Sequence, residues 1–140
     1  MRVTARGHCA AAPDLVWAWL AEPERHVQTL PNAVVDRRVL ENGDVAGTIA
    51  AMGLREAVVT RLSGEPPGEG APGRVEARRV DGVRQGTTVF TVAPEGTGSA
   101  VEATADVALP LLAEMMARGP VEAALAEQIR NVDRLSSPSA

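Results

Sequence analysis

The chain has no lysine and no tyrosine, and all fourteen of its basic residues are arginine. The first absence excludes Schiff-base chemistry on a lysine amine, and the second excludes a tyrosine general acid. Cysteine occurs once, at Cys9, so neither an intramolecular disulfide nor a cysteine zinc site can form. The two histidines, His8 and His26, are too scattered for a metal-ligand pattern. Aromatic residues are reduced to Trp17, Trp19 and Phe90. A curved sheet with so few bulky side chains has difficulty filling its own interior. No G-x-G-x-x-G follows a strand pattern, and neither a phosphate-binding loop nor a G-x-S-x-G is present. No cofactor and no metal is therefore expected. The net charge of −4, with no basic cluster interleaved with aromatics, argues against a nucleic-acid partner. Met1 to His8 lacks an apolar leader-like run and no stretch reaches membrane-spanning length, so no integral membrane segment and a cytoplasmic location are expected.

Hydrophobic residues make up 45 % of the 140, enough to fold one domain with a real core. Residues 1–140 read as a single domain, with 136–140 as a frayed tail. The longest periodic stretch is Leu109 to Leu135. Leu111, Leu112, Met115 and Met116, then Val121, Leu125, Ile129, Val132 and Leu135, recur at helical spacing. Gly119-Pro120 interrupts it. Pro120 cannot donate to the Met116 carbonyl, so a kink or break is expected, either as a plain bend between two helices or as the hinge of a moving lid.

Ahead of that helix the pattern is strand and turn. Val3 to Cys9 suits a first strand. Pro13 and Asp14 open a short helix with Leu15, Val16, Trp19 and Leu20 as its apolar face, and Pro23 separates it from a second, Glu24 to Leu30. Strands follow at Ala33–Glu41, Val45–Met52, Leu54–Leu62, Arg74–Val80, Thr87–Ala93 and Ser99–Ala108. Asn42-Gly43 is a hairpin signal, and Ser63 to Pro72, rich in glycine and proline, reads as a mobile turn.

The residues Ala12-Pro13-Asp14-Leu15-Val16-Trp17-Ala18-Trp19-Leu20-Ala21-Glu22-Pro23-Glu24-Arg25-His26 resemble P-x-x-V-W-x-x-L-x-[DE]-P-E-R, the opening of the START-like (SRPBCC) superfamily. The branch they look most like is the polyketide cyclase/dehydrase and lipid-transport family. The resemblance implies an α+β helix-grip fold: a seven-stranded curved antiparallel sheet wrapped around a long C-terminal helix, with two short helices after strand 1. It also implies a cavity between sheet and helix for a hydrophobic or amphipathic small molecule, and pairing into a homodimer, which nothing else in the sequence demands. Relatives often carry an aromatic where Thr29 stands and a glycine where Asn32 stands, so the cavity mouth is expected to be less covered here.

Alternation then assigns faces. Arg74, Glu76 and Arg78 share a wet face, which turns Val75, Ala77 and Arg79 toward the helix. Glu102, Thr104 and Asp106 are outside, while Val101, Ala103, Ala105 and Val107 are inside. Phe90 and Val92 point in, and Val35, Val39 and Met52 suggest one face of the first hairpin. The expected cavity wall also takes Trp19 and Leu30 from the short helices and Leu111, Leu112, Met115 and Met116 from the long one. Trp17 and Trp19 lie on different helix faces, so one can stack on a ligand, but core packing is the leading expectation for both, and the two methionines suit either role.

Two residues are candidates for chemistry. Arg79 on the concave face can hold a carboxylate or phosphate in two-pronged fashion, or else reach water at the strand end or pair with Asp36. His26 near the cavity mouth is a candidate proton-moving group, against the commoner fate of a surface histidine. Three functions remain: a binder of a lipid-, polyketide- or isoprenoid-like molecule, a cyclase- or dehydratase-type enzyme using Arg79 and His26, and a non-enzymatic accessory protein docking a partner through an apolar outer patch. Binding is the leading expectation.

Overall fold

The computed structural model describes residues 1–137. The chain runs β1 (Arg2–Cys9), α1 (Pro13–Ala21), α2 (Pro23–Thr29), β2 (Val34–Val39), β3 (Val45–Ala51), β4 (Leu54–Glu65), β5 (Gly73–Asp81), β6 (Gly86–Glu95), β7 (Gly98–Val107) and α3 (Leu111–Ser136). The seven strands form one antiparallel sheet in the order β1-β7-β6-β5-β4-β3-β2. Consecutive strands β1 and β2 thus sit on opposite edges, and the two short helices carry the chain from one edge to the other. The expected α+β helix-grip architecture is the one observed.

Each short helix begins at a proline in its first turn, where no N–H is needed. Val16 and Leu20 of α1 are fully buried, whereas Leu15, expected on the same face, is exposed. The core lies where α1 and the second half of α3 meet β1, β5, β6 and β7. It joins Val3, Val75, Phe90, Val92, Val101 and Ala103 to Leu125, Ile129 and Val132.

α3 rests chiefly on β1. The approach is close because residue 7 is a glycine: a Cβ there would stand 2.7 Å from Cγ2 of Ile129. Gly7→Ala should therefore destabilise the fold by about 1–3 kcal/mol, since a packed helix must shift. Pairing it with Ile129→Ala, which removes Cγ2, should cost less than the sum of the two single losses, which a thermal-denaturation double-mutant cycle reads directly. Additive losses would show that this contact does not set the helix position.

Several local expectations are corrected. α3 is continuous through Pro120, so of the kink and the break expected there the break does not occur. Gly119 and Pro120 are both exposed, so the bond that proline deletes lies beside water, and one missing bond does not end the helix. Leu111, Leu112, Met115 and Met116 are not packed into the core; each is at least 72 % exposed. Ser136, expected in the frayed tail, is buried in the last turn with its hydroxyl donating to the Val132 carbonyl (2.6 Å). The remainder of that tail, 138–140, lies outside the described residues.

The Asn42-Gly43 turn is looser than a two-residue hairpin. Only Gly43 has positive φ, and the Asn42 side chain instead bonds to the Asp44 backbone N–H and carboxylate. The tight turn falls at Met52-Gly53, both with positive φ (53° and 74°). β2 carries a bulge between Val35 and Arg38, with Asp36 at φ 53°, which breaks the alternation assumed for Val35 and Val39. β4 extends to Glu65, so Ser63 to Glu65 are strand rather than turn.

Candidate functional site

A cavity of about 460 Å³ separates α3 from the concave face of β3 to β7. It exists because the inward positions are short. Val45, Gly47 and Ile49 face it from β3, Val58 and Thr60 from β4, Ala77 from β5, and Thr88 from β6. These side chains do not bridge the distance to a helix held against the opposite edge at β1. Across the gap α3 presents Ala113, Ala117, Val121, Ala124, Leu125 and Gln128. Leu30 and Pro31 border the cavity from the α2–β2 connection. Exposed Met52, Leu54 and Met116 border it as well, so its edge is apolar and open to solvent.

The α2–β2 connection is held by polar bonds. Arg37 donates to the carbonyls of Val34 and Pro31, each at 2.8 Å, and to that of Val27 at 3.4 Å. Thr29 is fully buried; its hydroxyl donates to the His26 carbonyl (2.7 Å) and accepts from Nε2 of Gln128 on α3 (3.1 Å). Nδ2 of Asn131 donates to the Thr29 carbonyl (3.1 Å). The residue at the position where relatives often carry an aromatic is thus a hydrogen-bonded tie between α2 and α3.

His26 is not a surface residue. It is 3 % exposed, pairs with the Leu20 carbonyl through Nδ1 (2.7 Å), and meets Phe90 edge-on with centroids 6.1 Å apart. Burial drives its pKa down to about 4, against a smaller upward pull from the Leu20 carbonyl. The imidazole is therefore neutral at pH 7, and it does not border the cavity. Cys9 is fully buried; burial, with Asp133 adding to it, pushes its thiol up to about 11, so the thiolate needed for nucleophilic chemistry is absent. His8 pairs instead with Glu95 on the surface (2.6 Å).

Arg79 borders the cavity from β5, beside Thr60 of β4. It does not pair with Asp36, which faces Arg55 at 3.6 Å. Its near charges are Glu56 and Arg84, themselves paired at 3.0 Å, and all three line the cavity. Burial lowers the Arg79 pKa from its ordinary value, with Glu56 opposing and Arg84 assisting. Among the described residues, Nη1 of Arg79 is buried with no hydrogen-bond partner.

Of the residues expected to form the wall, Leu30, Ala77, Arg79, Phe90, Ala105 and Met116 border this cavity. Val75, Val92, Val101 and Ala103 are buried in the core instead. Trp19 packs against the core beneath Arg25, whose guanidinium carbon stands 5.1 Å from the ring centre. Trp17 is half-buried and its indole N–H donates to the Arg74 carbonyl (3.1 Å). Leu111, Leu112 and Met115 do not border the cavity. Sequence reasoning missed the β3 and β4 contribution. Val45, Gly47 and Ile49 alternate as a lining strand should, but glycine reads as weak strand and Glu56 reads as solvent-facing.

No curated protein matches the chain. Solved structures with the same fold include a Chromobacterium violaceum protein (18 % identity, TM-score 0.70, covering 99 % of both chains). A Thalictrum flavum norcoclaurine synthase point mutant in complex with a transition-state analogue is similar at 12 % identity and TM-score 0.70, over 97 % of this chain and 93 % of that one. A START superfamily protein from Mycobacterium smegmatis is similar at 13 % identity and TM-score 0.64, over 97 % of this chain and 99 % of its own. At these identities the likeness is one of fold. The sequence itself matches the family described as polyketide cyclase / dehydrase and lipid transport over residues 1–136, a span that takes in every element from β1 to α3, and the chain belongs to that family.

Proposed function

We propose that the protein binds a hydrophobic or amphipathic small molecule, of lipid, polyketide or isoprenoid type, between the sheet and α3. The cavity carries this reading. Its volume of about 460 Å³ falls within the range of roughly 300–1,000 Å³ typical of small-molecule sites. Its lining is mostly hydrocarbon with a few polar groups, the pattern that gives affinity through desolvation and orientation through selected contacts. Membership of a family described by polyketide cyclisation and lipid transport points the same way. Proton transfer by His26 lacks comparable support, because its ring is neutral, engaged with Leu20 and outside the cavity wall.

Titration with an anthroyloxy-labelled fatty acid and a panel of aromatic polyketides tests the reading. Saturable binding is expected. Ala124→Phe, which places a ring in the cavity from α3, should weaken it about tenfold or more while leaving the far-UV circular dichroism unchanged. Absence of saturable binding across the panel, or binding indifferent to the added ring, would remove the cavity from consideration.

A further inference from the structure

We propose that the ligand carries a single negative charge, a carboxylate, and that Arg79 is the residue that reads it. This rests on the cavity-binding reading above and specifies its ligand class. Among the described residues, three ionisable groups line the cavity: Arg79, Arg84 and Glu56. Two cations and one anion leave a net charge of +1 on a wall that is otherwise almost wholly apolar. Glu56 already accepts from Nε of Arg84 at 3.0 Å, so the unmatched charge belongs to Arg79.

The seat of the guanidinium is shaped for it. Gly86 of β6 lies beneath, and a Cβ at that position would stand 3.3 Å from Nε of Arg79 and 3.5 Å from Cζ. Any side chain at residue 86 would press on the group. Arg79 is held among Thr60, Gly86 and the Glu56–Arg84 pair, yet its Nη1 donor is buried without an acceptor among the described residues. An arginine stays protonated in a protein, and leaving a buried donor of a charged group unmatched is costly. A carboxylate entering the cavity removes that cost and finds two parallel N–H donors to accept from. A doubly charged phosphate would overshoot the single unmatched charge. The hydrocarbon of the same molecule would lie along the small residues of β3, β5 and α3.

Isothermal titration of the full chain with dodecanoic acid, its methyl ester and dodecanol tests this. The acid should bind about tenfold or more tighter than either neutral analogue. Arg79→Met, which keeps an unbranched stem and removes the charge, should bring the acid to the affinity of the ester and leave the ester unchanged. Glu56→Gln should widen the preference for the acid, and it tests the idea independently should Arg79→Met fold poorly. Equal binding of acid and ester by the wild-type protein, a preference that survives Arg79→Met, or a preference untouched by Glu56→Gln overturns the carboxylate assignment while cavity binding stands. If none of the three compounds binds, the carboxylate assignment falls, and cavity binding falls with it only when the labelled fatty acid and the polyketide panel also fail to bind.

Discussion

Phe90→Ala should cost about 3–5 kcal/mol of folding stability, the range for deleting a buried aromatic side chain. Phe90 is the largest fully buried side chain and the only phenylalanine of the chain. It sits on β6 between Val75 of β5 and Ala103 of β7, with the edge contact to His26 above it. Its neighbours are too short to collapse into the hole. The side chain also separates the packed core from the cavity, so the new space would join the existing one. Urea unfolding should show a midpoint drop with little change in slope. Phe90→Leu should lose much less, because most of the volume is kept. A loss below about 1 kcal/mol for the alanine variant would mean that the core is not built on this ring.

Acid should weaken the fold through His26 before it does so through the carboxylates. Its folded pKa is near 4 and its ordinary value is 6.5. Between those values the unfolded chain binds the proton and the folded chain does not, so stability rises with pH across the window. The contribution is complete above pH 6.5 and is lost as pH falls toward 4. It amounts to about 2 kcal/mol by pH 5 and about 3 kcal/mol by pH 4. Over the upper part of that range ordinary carboxylates are still ionised, so the histidine can be isolated. Urea midpoints measured from about pH 7.5 to about pH 5, which takes in the upper part of that window, should fall for the wild-type protein and stay nearly level for His26→Asn. The amide introduced by that substitution retains a donor for the Leu20 carbonyl and has no proton to gain. Parallel slopes for the two proteins would show that His26 does not carry the acid sensitivity.

The burial of His26 was beyond sequence reasoning for a definite reason. It follows Pro23 in a short polar helix, P-E-R-H-V-Q-T, where local pattern points to the surface. Only the closure of α2 onto β6 and α3 places Phe90 beside it. Thr29 is similar: by sequence it is a missing aromatic, and in the fold it bonds to a glutamine ninety-nine residues away. Arg79 was legible as an inward arginine from the polar alternation of its strand. That its donor stays unmatched was not, because Asp36, the expected partner, is turned to Arg55 by a bulge in β2.

What the sequence determined by itself was the order of elements and the facing of β5 and β7. Both rest on short-range rules: a two-residue alternation, a 3.6-residue repeat, and prolines and glycines whose preferred backbone angles act locally. What only the tertiary structure decided was which half of α3 is buried, how far the sheet stands from it, and which polar groups go unpaired. Those depend on where a helix comes to rest on a sheet edge built from the other end of the chain. A glycine facing an isoleucine 122 positions later has no local signature, yet that close approach helps hold α3 on β1, and the unfilled space lies between α3 and the strands farther across the sheet.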